Sequence, residues 1–250
     1  MKSKFLLLIM LLCCTTLGAQ QNRDSILRNL VNNMVAVQGG TFQMGATAEQ
    51  GEDAFLNEVP AHQVTVSDFS IGKYEVTQEE WVAVMGSNPS KVKSSKNPVE
   101  QVSWDDCQRF IQRLNSLTGK TFRLPTEAEW EFAARGGNQS KGYKYAGSND
   151  LSKVAWYRQT QAYPTRSVGQ KSPNELGLYD MNGNVWEWCN DGYEAYKSEA
   201  QTNPKGLETS SSRVFRGGSW NYMERSCRVS TRADSNPSSS ASFVGLRLAM

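Results

Sequence analysis

Three helix-start signals fall between residues 77 and 137, and no comparable run of helical periodicity follows them; this asymmetry constrains the fold most. Thr77 and Glu80 have the spacing of a capping box, in which each side chain reaches the other's backbone N–H. Trp81, Val84 and Met85 then share one face before Gly86 stops the helix. Ser103 caps a second helix, with Trp104, Cys107, Phe110, Ile111, Leu114 and Leu117 on its apolar stripe and Gly119 as its stop. Thr126 and Glu129, just after Pro125, open a third that ends at Gly136-Gly137. Upstream, Ile26, Leu27, Leu30 and Val31 give the polar stretch 20–33 the spacing of one short amphipathic helix. Residues 34–44 (MVAVQGGTFQM) alternate around Gly39-Gly40 and predict a hairpin; 51–61 is an acidic loop. Val64, Val66 and Phe69 alternate like a half-buried strand, and 71–76 continues extended. Later strands are predicted at 167–169, 177–181, 185–188, 213–218 and 245–249. Helices first and short, irregular β later argue for an α+β domain over alternating βαβ units.

Composition narrows the function. Lys2 and Lys4 precede the apolar run 5–12 and small residues near Ala19, so residues 1–19 are expected to be a signal peptide, with the mature protein secreted or periplasmic. A lipid-anchored form through Cys13 or Cys14 is the less favoured alternative, because Leu12 or Cys13 would precede the modified Cys. The run is too short to cross a bilayer as a helix, so no transmembrane helix is expected in the mature chain. Two of the 27 Lys and Arg lie in this segment, and the rest balance the 25 Asp and Glu. A neutral chain without a basic run gives no reason to expect nucleic acid as a partner. Three cysteines remain after cleavage, Cys107, Cys189 and Cys227, without a C-x-x-C spacing. An exported setting favours one disulfide plus one free thiol. His62 is the single histidine, so a histidine-rich iron or zinc site cannot be built. Its default role is a surface or hydrogen-bonded side chain.

Eight motifs then occur in order: Met44-Gly45, Lys73-Tyr74-Glu75-Val76-Thr77, Pro98-Val99-Glu100-Gln101-Val102-Ser103-Trp104, and Arg123-Leu124-Pro125-Thr126-Glu127-Ala128-Glu129-Trp130-Glu131. Gly177-Leu178-Tyr179-Asp180-Met181, Gly183-Asn184-Val185-Trp186-Glu187-Trp188, Arg216-Gly217-Gly218-Ser219-Trp220 and Gly245-Leu246-Arg247-Leu248 follow. Together they resemble the formylglycine-generating enzyme, or sulfatase-modifying factor, family across residues 34–250. The resemblance implies one domain there, after a leader at 20–33, with an irregular C-type-lectin-like α+β fold low in regular secondary structure. Glu129 reads as a capping partner, and Glu127 and Glu131 as helix charges favoured by the dipole, not as acid/base catalysts.

Family members that oxidise a sulfatase cysteine to formylglycine resemble this chain most at residues 216–228, where two cysteines bind Cu(I). Aligned from Ser219, the first cysteine position falls at Tyr222 and the second at Cys227. A phenol is a hard donor, mostly protonated at neutral pH, and does not replace a soft thiolate. Copper is therefore disfavoured. Cys227, Ser219 and Trp186 are the catalytic candidates if activity persists, with scaffold roles for Ser219 and Trp186 preferred. The family fold places Cys189 close to the Gly-Gly-Ser-Trp strand, so a Cys189–Cys227 disulfide is expected, and Cys107 is expected to be a buried thiol. The resemblance further implies one calcium site, held by Asp180 and Glu187 with the carbonyls of Gly183 and Val185; a second family site is not recognisable around 154–165. The family fold is also similar to that of variable surface-display proteins, whose changeable residues follow a Gly-Gly-Ser-Trp motif. Asn221, Tyr222, Glu224 and Ser226 then become a contact surface. Two readings follow: a catalytically silent binding or assembly module for an envelope protein, a glycan or a sulfatase, and a formylglycine-generating oxidase.

Overall fold

The computed structural model describes residues 20–159 and 164–250. The expected signal peptide, with Cys13 and Cys14, lies outside the described residues. Five α-helices and nine short strands occur among those described: α1 at 20–32, α2 Gln78–Met85, α3 Trp104–Thr118, α4 Glu127–Ala134 and α5 Leu151–Val154. The strands are β1 Met34–Val37, β2 Gly40–Met44, β3 His62–Val66, β4 Phe69–Gly72, β5 Trp186–Gly192, β6 Gln201–Thr202, β7 Arg213–Arg216, β8 Arg232–Ser235 and β9 Val244–Leu246.

The capping boxes of α2 and α4 form as predicted, and the expected Ser103 cap of α3 is completed to a box by Asp106 as its reciprocal partner. The predicted hairpin at 34–44 does not form. β1 pairs with β4 and β2 with β3, both antiparallel and in one continuous register, Met34 opposite Gly72 and Met44 opposite His62. The two segments are one long ribbon, interrupted where Gly39 meets the opposite strand. A Cβ on Gly39 would lie 2.3 Å from the Val66 carbonyl oxygen, and its N–H donates to Asp68 Oδ1 at 2.8 Å. Gly39 therefore marks a close approach of backbones, not a reversal. The predicted strands at 167–169 and 177–181 are loop and turn, whereas α5, β6 and β8 had no clear sequence signal.

The four-stranded sheet β8-β7-β5-β9 organises the rest. Alternation along its strands divides two cores. Trp186, Trp188, Phe215, Val244 and Leu246 join Phe110 and Leu114 of α3, together with Leu27 and Leu30 of α1. On the other face, Val214 and Cys189 join Ala128, Trp130 and Phe132 of α4. This second face is heavily charged. Buried Arg216 of β7 donates to Glu127 (2.9 Å) and Glu131 of α4, and Arg232 of β8 makes two hydrogen bonds to Glu127. Arg247 binds both oxygens of Glu187, which also accepts from Trp130 Nε1 at 2.7 Å. Glu127 and Glu131 are thus sheet-to-helix ion-pair partners, not simply dipole charges. Burial would raise the Glu127 carboxyl, but Arg232 and Arg216 hold it below the usual carboxylate range.

Asp191 closes the layer: its Oδ2 accepts from the Glu127 N–H at the start of α4, at 2.9 Å. It borders a cavity of about 30 Å³ shared with His62, Tyr196 and Arg232. His62 is itself buried, with Nδ1 3.2 Å from the Pro60 carbonyl and its ring against Tyr196. Burial, reinforced by the Glu127 charge, pushes Asp191 up to about 8. Its pKa in the unfolded chain is about 3.9, so the native state binds the extra proton between these values and this group's contribution to stability falls as pH rises. Asp191→Asn keeps the acceptor and removes the charge. It should gain stability relative to wild type as pH is raised from 5 to 8 in urea-unfolding experiments; a pH-independent difference would contradict this assignment.

Candidate functional site

The Gly217-Gly218 turn that leaves β7 leads into the segment whose Tyr222 forms part of the wall of an open cleft. Both glycines have positive φ, and a Cβ on Gly218 would lie 2.7 Å from Cys227 Sγ. The chain then turns back through a hydrogen bond from the Tyr222 N–H to the Ser219 carbonyl, 3.0 Å. This sets the half-buried Tyr222 ring edge-on to Trp186, with centroids 5.4 Å apart, and beside Phe243. The facing wall is residues 54–57, from the stretch predicted only as an acidic loop. A cleft of about 730 Å³ lies between them, lined by Phe55, Leu56, Asn57, Trp186, Tyr222, Arg225, Ser226 and Thr231, among others.

The facing wall is held by ion pairs. Arg228 is fully buried and donates to both oxygens of Glu58, while Ser230 donates to the same carboxylate. Burial would raise Glu58, but these hydrogen bonds and the Arg228 charge keep it below the usual carboxylate range. Arg225 donates to the carbonyls of Asp53 (2.7 Å) and Ala54 (3.0 Å) and lies 4.0 Å from the centre of the Phe55 ring. These contacts tie 53–58 to 225–230, so the cleft has two supported sides.

The sequence-predicted residues divide. Tyr222, Ser226 and Trp186 line the cleft. Ser219 is buried, its Oγ sharing a 2.7 Å hydrogen bond with Asn221 Oδ1, and Glu224 accepts from the Tyr145 hydroxyl at 2.8 Å. Asn221 and Glu224 therefore brace the loop. Cys227 lies beneath the wall, in an apolar cluster with Tyr145 and Tyr157, and burial pushes its thiol up to about 12. The expected Cys189–Cys227 disulfide is not formed. Both thiols are free, because Cys189 points from β5 into the α4 core while Cys227 joins the separate Tyr145 cluster. Cys107 is a buried free thiol, as predicted.

The expected calcium residues sit where β5 begins. Asp180 and Asn184 both have positive φ, at 57° and 52°. Asp180 Oδ2 accepts from Gly169, but its Oδ1 is buried with no hydrogen-bond partner among the described residues. The N–H groups of Asn184 and Val185 donate to the Trp156 carbonyl and Glu75 Oε1, fixing the main chain around the Gly183 and Val185 carbonyls. Burial, reinforced by Asp180 and Glu187, pushes Glu75 well above the carboxylate range. Asp180 is pushed up by burial to about 6, despite the Gly169 hydrogen bond and the Arg247 charge. Three buried carboxylates thus surround one guanidinium, and an orphaned oxygen in that setting suits a hard cation. Glu187 fits less well, since Arg247 and Trp130 occupy its oxygens. Among the described residues no group of three or more His, Cys, Asp or Glu is arranged around a common metal position, so main-chain carbonyls would have to complete the site.

The sequence matches the sulfatase-modifying factor enzyme 1-like domain over residues 20–250. The chain belongs to that family. It is 32% identical to a chaperone protein, LppX, of Paenibacillus barcinonensis, over 85% of this chain and 87% of the relative. It is 30% identical to a formylglycine-generating enzyme of Thermomonospora curvata, over 89% of this chain and 94% of the enzyme. Against a serine/threonine-protein kinase, pkn1, of Chlamydia pneumoniae, 31% identity spans 88% of this chain and 38% of the kinase. The structure of Treponema denticola variable protein 1 superposes with a TM-score of 0.79 at 31% identity, covering 86% of this chain and 94% of that one. These matches carry the C-type-lectin-like fold. Among the described residues no helix is long and apolar enough to cross a membrane.

The wall clamp gives a direct test. Glu58→Ala leaves buried Arg228 without its carboxylate and should lower the unfolding free energy by about 3–5 kcal/mol, read by urea denaturation. A change below about 1 kcal/mol would show that the clamp does not hold the wall.

Proposed function

We propose that this chain is an exported binding or assembly module in which the family scaffold is kept and the copper chemistry is not. The observation that carries this reading is the donor set beneath the Gly-Gly turn. Cys227 is one buried thiol, the paired family position holds Tyr222, and Cys189 and Cys107 lie in other clusters. The residues present do not fit a two-thiolate copper site. The cleft, by contrast, is open and built from aromatic and polar side chains suited to holding a partner. Export rests on the sequence of residues 1–19, and an envelope protein is the favoured partner. The family name points to a sulfatase as one candidate, and the relatives include a chaperone protein as well as formylglycine-generating enzymes.

The test is to incubate the protein with Cu(I), oxygen and a sulfatase peptide containing the target cysteine. Mass spectrometry should show unchanged peptide. Stoichiometric aldehyde that disappears in Cys227→Ser would overturn the proposal in favour of the oxidase.

We also propose one structural calcium ion, held by Asp180 with the carbonyls of Gly183 and Val185, and with Glu187 shared with Arg247. When bound it would favour the ionised forms of the buried Asp180 and Glu75 carboxyls beside Glu187 and fix the turn leading into Trp186. Millimolar calcium should raise the melting temperature of wild type by several degrees, on the scale of about 1 kcal/mol or more. Asp180→Asn should abolish the shift; an equal shift in that variant would place the ion elsewhere.

A further inference from the structure

The formal neutrality of the chain hides an uneven distribution. Residues 86–99 and 151–174 carry seven basic side chains and no acidic one. The fold lays these two stretches side by side. The Val168 N–H donates to the Lys96 carbonyl at 3.0 Å, and Asn97 Nδ2 donates to the Thr165 carbonyl at 2.7 Å. The second stretch also folds onto itself, with the Ser172 N–H donating to the Lys153 carbonyl at 3.0 Å. Lys91, Lys93 and Lys96 of the first stretch are exposed, as are Lys153, Arg158 and Arg166 of the second. Aromatic rings place further charge at this surface. The Lys171 ammonium lies 4.1 Å from the centre of the Trp156 ring, with the Arg166 guanidinium 5.8 Å from the same ring. Lys73 lies 5.6 Å from the Tyr74 ring centre and 5.5 Å from that of Tyr179. Gly169 joins the two groups, because a Cβ there would lie 2.7 Å from the Tyr74 ring. Glu79, paired with Lys96, and Asp150, 3.6 Å from Lys153, offset part of this charge.

From this we infer that the face carrying Lys91, Lys93, Lys96, Lys153, Arg166 and Lys171 docks on an anionic lipid surface. The inference shares with the binding-module reading only the expectation of export, and does not depend on copper. Its cations stand in neighbouring stretches, so the charge spreads in two dimensions, as a layer of headgroups does. A single nucleic-acid or polysaccharide strand presents its charge along one line. Trp156 and the Tyr74–Tyr179 pair are engaged with cations and with each other, so they place charge and do not offer platforms for stacking bases. Position favours a membrane as well. Asn22 and Arg23, in the first turns of α1, share a groove of about 840 Å³ with Ser95 and Lys96. The start of α1, which follows the expected signal peptide, therefore lies at the edge of this face. Cleavage after Ala19 would add an α-amino charge there. Among the described residues, none of the exposed large apolar side chains lies in either stretch. The attraction is thus electrostatic, without insertion, and weakens with salt.

The experiment sediments the chain beginning at Gln20, which contains every described residue, with vesicles. One set is phosphatidylcholine alone, and the other mixes phosphatidylglycerol and phosphatidylcholine in a one-to-two ratio. The protein should bind the mixed vesicles at low salt and ignore phosphatidylcholine. Binding should fall about tenfold or more as salt rises from about 0.05 to 0.5 M. Lys91→Gln, Lys93→Gln and Lys96→Gln together should weaken it about tenfold or more, at roughly fivefold per charge near the surface. The same substitutions at Lys120, Lys197 and Lys205 remove equal charge elsewhere and should change it less than about twofold. All six side chains are exposed, so both triple variants should keep the circular dichroism spectrum of the folded protein. Equal binding to both vesicle types, or equal losses in the two triple variants, would overturn the inference. So would failure to bind the mixed vesicles, whether or not immobilised heparin or duplex DNA captures the protein.

Discussion

Arg216 lies between Glu127 and Glu131 with no exposure to solvent, and much of the domain's arrangement depends on that contact. It ties the middle of the main sheet to α4, the helix whose first residue, Glu127, also binds Asp191 of β5 and Arg232 of β8. Burying such charges costs several kcal/mol per ion, recovered only when every partner is in place. The layer therefore favours one registration of helix on sheet. It also sets where β7 ends, and hence where the Gly-Gly turn and everything after it must begin.

The cleft is the result of that placement. β7 delivers Gly217 and Gly218 over Cys227, the turn sends Tyr222 against Trp186, and the Glu58–Arg228 pair brings the other wall across. Trp186 belongs to two systems at once. It is the first residue of β5, in the α3 core, and it follows the strained turn at Asp180–Asn184. A cation at that turn and a ligand in the cleft would touch neighbouring residues of one segment. The scaffold can therefore persist while the groups presented at its surface change, and function has to be argued from the site and not from the fold.

Much of this was legible in the sequence where local chemistry decides. Thr77, Ser103 and Thr126 announce their helices because capping needs only residues three apart. The motif series likewise fixed the family and placed Tyr222 and Trp186 at one surface. What was not legible depended on partners distant in sequence. Residues 34–44 alternate correctly for strands, but only their pairing with 62–72 shows that Gly39 is a close approach and not a turn. Glu127 and Glu131 look like ordinary helix charges until Arg216 and Arg232 arrive about a hundred residues later. The wall at Phe55-Leu56 was hidden within an acidic stretch, its one signal being two apolar neighbours among charges. The Cys189–Cys227 pairing failed for a related reason: nearness of two strands does not specify which face each side chain takes.

The most direct measurement is the Cu(I) affinity of the reduced protein, by competition with a chromophoric chelator under anaerobic conditions. The account predicts that the chelator keeps its copper, and that Cys227→Ser behaves like wild type. One equivalent of Cu(I) withdrawn by wild type and not by Cys227→Ser would contradict it.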